Sequence, residues 1–356
     1  MIADSVRRHA GQVLVSGFPG AELPLELRRA AGRGELGGFV LFARNLGDMQ
    51  QTAELNASLR AACPEGAPPW IALDQEGGRV QRLGPPVLQL PPMGRLGALD
   101  DADLSERIAR TLGQQLAALG FNMNFAPVLD VDTNPDNPVI GDRSFGSEPE
   151  RVIRHGRAFA RGLAAAGVAA CGKHFPGHGD TLLDSHLALP RLHHDMQRLR
   201  RVELAPFAAL AGELGAIMTA HVIFDALDPE RPATLSATVI DGLLRQELGF
   251  TGLVFSDDLE MKAIADHKGV PEAACEAVAA GCDALLICSQ PGLVLEAHAA
   301  LCARAAGDRA FAQRLERAAE RGLRARLKHP ARMHRDPAIA DIALDIAAEL
   351  TELLRR

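Results

Sequence analysis

The sequence predicts an α/β protein: a single-domain (β/α)8 barrel of TIM type with a C-terminal helical tail. Three observations carry this expectation. Short, β-rich apolar runs alternate with longer amphipathic ones along the chain, a pattern that favours parallel strands joined by right-handed helical crossovers. Eight such units can be traced, enough to close a barrel, with an open doubly wound sheet as the alternative. Charged and polar residues gather at the C-terminal ends of several runs, namely Asp74, Lys173 with His174, His221 and Asp257. Closure would bring those ends onto one face, where barrel enzymes place their sites.

Taken in order, strands are expected at 13–17, where Val13, Leu14 and Val15 precede Gly17; at 38–42, an apolar run after Gly37; at 70–74, ending on Asp74; and at 122–128, 169–174, 216–222, 252–256 and 284–289. Helical patterns lie between them, including 48–62, 102–118, 150–166, 206–214, 237–248 and 271–280. The Pro- and Gly-rich stretch 84–97 reads as a long loop after the third strand. The barrel is expected to occupy 1–328 and a helical extension 329–356. In that extension 329–335 would be a connector, and Asp336 would cap a helix with Pro337 at its first position. Ile339, Ile342, Ile346, Leu350 and Leu353 form one stripe, expected to dock on the barrel itself in preference to a second subunit.

A hydrophobic fraction of 47% and a charged fraction of 23% are ordinary for a water-soluble globular chain. The net charge of −7 gives no general attraction to nucleic acid or anionic membranes, so neither is an expected partner. The first residues show no apolar core behind their charges, and no uncharged apolar run approaches bilayer-spanning length. Six scattered cysteines without a Cys-x-x-Cys pair read as small core residues in a reducing cytoplasm.

The richest chemistry lies at 173–190, Lys-His-Phe-Pro-Gly-His-Gly-Asp-Thr-Leu-Leu-Asp-Ser-His-Leu-Ala-Leu-Pro. A packed core does not hold so many ionisable groups without partners, whereas a loop on a rigid scaffold does. This stretch resembles the signature loop of family 3 glycoside hydrolases, in the branch of bacterial cytoplasmic β-N-acetylglucosaminidases of cell-wall recycling. The resemblance extends in order through Leu-Asp-Gln-Glu-Gly-Gly-Arg-Val-Gln-Arg at 73–82, Asn-Phe-Ala-Pro-Val-Leu-Asp at 124–130, Gly-Asp-Arg-Ser-Phe-Gly at 141–146, Met-Thr-Ala-His at 218–221 and Phe-Ser-Asp-Asp-Leu-Glu-Met at 255–261. One block alone would be weak; six in order are specific.

The resemblance implies residue roles. Asp257 would be the nucleophile that forms a glycosyl-enzyme. His186 would be the acid/base, with Asp184 accepting its other ring N–H. A carboxylate can fix the imidazole tautomer, and an imidazole suits both proton donation and acceptance near neutral pH. The more usual glycosidase arrangement uses two carboxyl groups. Asp74, Arg82, Arg143, Lys173 and His174 would hold the terminal sugar through directional polar contacts. Gly177 and Gly179 would let the loop move. No cofactor or metal is implied. The expected substrate is an amino-sugar or muropeptide fragment, and the expected state a monomer or weak homodimer.

Blander roles are assigned elsewhere. Asp258 reads as a strand-end cap or helix N-cap and His221 as a hydrogen-bonded structural residue. Asp130 and Asp142 would brace loops or the arginines, Arg79 and Glu76 would form structural ion pairs or else sit close to sugar, and His193 and His194 would be solvated. Leu182, Leu183 and Ala188 depart from the more polar family pattern. Competing functions are a zinc hydrolase built on His174, His178, Asp180, Asp184 and His186, whose spacing fits poorly; a sugar-binding protein without turnover; and a phosphorylase.

Overall fold

The computed structural model describes residues 3–331 and 344–353. Eight parallel strands close a barrel: β1 (Leu14–Ser16), β2 (Gly38–Leu41), β3 (Trp70–Leu73), β4 (Met123–Asn124), β5 (Ala169–Phe175), β6 (Ala216–Thr219), β7 (Leu253–Asp258) and β8 (Ala284–Ile287). Each strand pairs with its sequence neighbour and β1 pairs with β8, Leu14 lying opposite Leu285. This is the (β/α)8 class expected. A short parallel pair, Arg191–Leu192 with Ile223–Phe224, lies apart from the barrel sheet.

Alternation along each strand sorts side chains into two cores. Val15, Val40, Trp70, Ala72, Phe125, Met218, Phe255 and Leu286 fill the barrel interior. Their strand neighbours Leu14, Phe39, Leu41, Ile71, Leu73, Ile217, Val254 and Leu285 join the larger core formed with the helices. Val40, Phe125, Met218 and Leu286 are the interior residues that reach the cavity at the strand C-termini.

Two local expectations are corrected. The strand expected through 128 stops at Asn124, because Pro127 has no N–H for a ladder; Val128 keeps only an isolated bridge to Lys173. The loop expected at 84–97 contains the start of the helix Met93–Leu99, which follows Pro92 and buries Met93 and Leu96. Gly97, a poor helix former, is required there because the Phe145 carbonyl lies where a Cβ would project.

The last barrel helix, Arg309–Lys328, is capped by Asp308, whose carboxylate accepts the Phe311 N–H at 3.0 Å. The tail helix Leu344–Leu353 docks on the barrel's own helix Ala102–Ala118, burying Ile346 and Leu350 while Arg107 grips Glu349 at 2.7 and 2.8 Å. Ile339, Ile342 and the Asp336–Pro337 cap lie outside the described residues. No helix among the described residues is long and apolar enough to cross a membrane, and all six cysteines are buried thiols.

Candidate active site

The turn after β3 is organised by Gln75. Asn124 clasps the Gln75 backbone N–H and C=O at 2.9 Å each, and the Gln75 side-chain oxygen accepts the N–H groups of Arg82 and Leu83 at 2.7 and 3.1 Å. The chain therefore folds back, placing the Arg82 guanidinium 3.3 Å from Asp74 Oδ2. From β5, Lys173 Nζ reaches Asp74 Oδ1 at 2.7 Å and Glu76 Oε1 at 2.5 Å. Glu76 also accepts Arg143 Nε and Nη2 at 2.8 Å each. The result is a continuous chain of three cations and two carboxylates. Burial opposes ionisation of Glu76, but Arg143 and Lys173 outweigh it and hold the carboxyl far below its usual range. Burial disfavours the Lys173 ammonium, and Asp74 and Glu76 more than restore it.

This arrangement bears on two expected roles. Glu76 forms the ion pairs expected of it, with Lys173 and Arg143, and also lines the cavity. Arg143, expected to offer a donor fork to sugar, has that fork engaged with Glu76, and its Nη1 bonds the Val139 carbonyl at 3.1 Å. Arg79 pairs with Asp142 at 3.2 Å as expected.

Asp130 braces histidines rather than arginines. It is fully buried and accepts His174 Nδ1 at 2.6 Å, the His174 N–H at 3.1 Å and the His178 N–H at 2.7 Å. The Nδ1 contact leaves Nε2 of His174 for the cavity. Burial would raise the Asp130 carboxyl, but His174 and its hydrogen bond lower it overall. His178 is buried between Thr181 Oγ1 at 2.8 Å and Ser185 Oγ at 2.9 Å, pegging the following loop. His194 is not a free solvated residue: its Nε2 lies 2.5 Å from Asp180. His193, well exposed, contacts Asp225 at 2.5 Å.

Burial, with His174 nearby, pushes His178 from 6.5 down to about 4. The unfolded chain therefore binds this proton more readily than the folded one. Stability contributed by neutral His178 is present above pH 6.5 and is lost as pH falls toward about 4, by up to about 3 kcal/mol. Urea midpoints measured from pH 7 to pH 4.5 should show a steeper fall for the wild type than for His178→Gln. Parallel curves would refute this assignment.

β7 delivers Asp257, whose Oδ1 accepts the Asp258 N–H at 2.8 Å. The Asp258 carbonyl accepts His221 Nε2 at 3.0 Å, and His221 Nδ1 meets Thr234 Oγ1 at 2.7 Å, confirming the structural role expected of His221. Asp258 is not a helix cap. The helix Lys262–Ala265 starts after Met261, and Asp258 Oδ1 instead accepts the N–H groups of Glu260 at 3.0 Å and Cys288 at 3.2 Å, tying β7 to the end of β8. Burial, reinforced by Glu260 and Asp257, pushes Asp258 up to about 7. Burial also opposes ionisation of Asp257, yet His221, His174 and the Asp258 N–H bring it below its ordinary value. Adjacent carboxyls are thus driven apart, Asp257 toward the more acidic side and Asp258 toward the less acidic.

His186, 63% exposed, points its Nδ1 at Asp184 Oδ1, 2.8 Å away; the same oxygen accepts the His186 N–H at 2.8 Å. Asp257, His186, Asp74, Arg82, Arg143, Lys173 and His174 line one cavity of about 190 Å³, with Asp184 behind His186. Ser185, Asp258 and Phe42 also line it and were not singled out as site residues from sequence, and so does His178, named there only as a candidate zinc ligand. Of the five groups considered for zinc, Asp184 and His186 pair with each other and the other three bond separate partners, and no set of three His, Cys, Asp or Glu among the described residues is placed to hold a metal.

A barrel whose strand C-termini surround an ion-laced cavity has the architecture in which barrel enzymes, glycoside hydrolases among them, hold their sites. The sequence model for the glycosyl hydrolase family 3 N terminal domain matches residues 10–324, and the chain belongs to that family. A beta-hexosaminidase of Alkalilimnicola ehrlichii is 43% identical over 288 residues, covering 79% of this chain and 82% of its own. Among solved structures, a family 3 beta-N-acetylglucosaminidase from a Paenibacillus species superposes with a TM-score of 0.90 at 41% identity, over 98% of this chain and 68% of that one. Native NagZ of Neisseria gonorrhoeae gives 0.81 at 32% identity, over 96% and 97%.

Proposed function

We propose that this glycoside hydrolase is a retaining exo-β-N-acetylglucosaminidase that removes non-reducing N-acetylglucosamine from peptidoglycan fragments. Its substrate would be N-acetylglucosamine linked to anhydro-N-acetylmuramic acid, with or without peptide. The relatives named above support the sugar; the muropeptide rests on the signature-loop resemblance. The observation that carries the mechanism is that Asp257 and His186 open on one cavity.

In the first step the Asp257 carboxylate attacks the anomeric carbon. The glycosidic C–O bond breaks, and the His186 imidazolium gives its proton to the departing oxygen. A glycosyl ester and a free alcohol result. In the second step neutral His186 takes a proton from water, whose oxygen attacks the same carbon and releases Asp257. Two inversions give net retention. Asp184 holds the His186 ring and stabilises its charged form. Asp74, Lys173, Arg82 and His174 grip the terminal sugar, with Glu76 and Asp130 holding Lys173 and His174 in place, while Arg143, its fork on Glu76, steadies that hub. No step needs a cofactor. The buried thiols agree with a cytoplasmic setting, and the tail helix docked on its own barrel agrees with a monomer or weak homodimer.

Proton NMR during hydrolysis should show the β anomer of N-acetylglucosamine forming first; initial α anomer would refute retention. His186→Ala should lose about 10²–10⁴-fold in kcat/KM on a methyl glycoside, whose leaving group needs protonation. On a dinitrophenyl glycoside the loss should be far smaller. Equal losses on both would remove His186 from the role of acid.

A further inference from the structure

We infer that the N-terminal mouth of the barrel is a second binding site, one that takes a small organic phosphate with an apolar ring. It lies at the opposite ends of the strands from the catalytic cavity, and it does not depend on the reaction proposed above.

Trp70, Met123, Ala169, Ala216 and Leu253 are the first residues of β3, β4, β5, β6 and β7, and all five line one cavity of about 350 Å³. The helix Arg309–Lys328 adds Arg321, Arg324 and Lys328 to its lining. Spacings of three and four residues put these cations on one helix face. No Asp or Glu among the described residues lines the cavity, although the chain as a whole carries a net charge of −7. Acids nearby do not neutralise it. Asp283 is shared by Arg321 and Arg245, 2.5 Å from each, so one carboxylate serves two guanidiniums. Glu320 lies 3.5 Å from Arg324 in an exposed i,i+4 pair, a weak arrangement. Glu213, next to the lining residues Gly212 and Leu214, is held by Arg157 and Arg161. Lys328 has no acidic partner among the described residues. The cavity therefore keeps a surplus of positive charge that favours an anion.

The indole of Trp70 is an independent sign of a ligand. Trp70 is 1% exposed, and its buried Nε1–H has no hydrogen-bond partner among the described residues. A buried indole N–H usually finds one, because leaving it unmatched is costly. A buried donor in the wall of a cation-lined cavity is a place for an anionic acceptor. Phosphate supplies the charge and several acceptor oxygens together, and guanidinium and ammonium groups both suit it. The rest of the lining selects what the phosphate is attached to. Met123, Leu214 and Leu253 are apolar, and the His329 ring lies 6.4 Å from the indole. Mostly apolar walls with a few convergent polar groups are typical of sites for small organic molecules. An apolar ring among these walls, with its phosphate toward Arg324 and Lys328, uses both parts of the lining.

Trp70 itself reports the test, since the chain has one Trp and no Tyr and its indole emission is unmixed. Phenyl phosphate, mostly a dianion near neutral pH, should change that emission saturably with a Kd of about 1 mM or below. Inorganic phosphate and benzyl alcohol, each carrying half of the recognised chemistry, should bind at least about tenfold more weakly. Lys328→Ala alone, which breaks no ion pair, should raise the phenyl phosphate Kd about threefold. The combined Arg324→Ala, Lys328→Ala variant should raise it at least about tenfold, with urea unfolding matching the wild type. No saturable change, or the same Kd in wild type and both variants, overturns the site. Inorganic phosphate binding as tightly as phenyl phosphate overturns the apolar ring, and benzyl alcohol doing so overturns the anion; either result removes the assigned ligand class. All of these outcomes leave the exo-glucosaminidase reading untouched.

Discussion

Asp257→Ala should reduce turnover by at least about 10³-fold while leaving the melting temperature close to that of the wild type. The expectation follows from how few structural ties this carboxylate has. Its carboxylate accepts the N–H of its own neighbour, Asp258, at 2.8 Å, and among the described residues no Lys or Arg pairs with it. It is ionised despite burial and faces the cavity from the end of a barrel strand. Removing it would take away the proposed nucleophile without orphaning a buried cation. Azide offers a second readout: in the space vacated by the side chain it should restore part of the rate and yield an α-glycosyl azide. Loss of activity accompanied by unfolding, or residual turnover within tenfold of the wild type, would contradict the assignment.

Glu76→Gln should destabilise the fold by about 3–5 kcal/mol, the cost of breaking a buried ion network by removing one partner. Glu76 is 1% exposed and joins Lys173 to Arg143, whose side chains are only 3% and 9% exposed. Without it, Asp74 remains the carboxylate against Lys173, and the Arg143 fork keeps only the Val139 carbonyl. Urea unfolding would measure the loss. Sugar affinity should fall as well, because Lys173 would no longer be held from both sides. KM for an aryl glycoside should therefore rise even where the variant is folded. A stability within about 1 kcal/mol of the wild type would show that water or a rearranged Asp74 replaces the missing charge.

The eight strands were legible because two signals coincide at each: an apolar run of strand length and, at several, a polar residue at the C-terminal end. Barrel closure then follows from chain order. Boundaries were less legible where one residue overrides a pattern, as Pro127 does by removing a ladder donor. The helix at Met93–Leu99 was obscured by Gly94 and Gly97, the latter required by a close backbone approach that local propensity does not reveal. The expected site residues converge because the motifs lie near strand ends, yet their division of labour was hidden. Glu76 meets Arg143 from 67 residues away and Asp74 meets Lys173 from 99, so the hub is a tertiary property. For Asp258 the sequence left a strand-end cap and a helix N-cap open; the next helix begins later, and the side chain ties two strand ends together.

The two halves of the proposed chemistry stand on different kinds of scaffold. Asp257 and the ion chain around Lys173 grow from barrel staves, whereas His186 and its carboxylate ride on a crossover segment fastened by a few side-chain pegs. Capture of one sugar ring and release of its former neighbour are therefore separable traits. Grafting an altered 180–190 segment onto this barrel offers a modular route to new acceptors, in which the catalyst changes what it lets go while keeping what it holds.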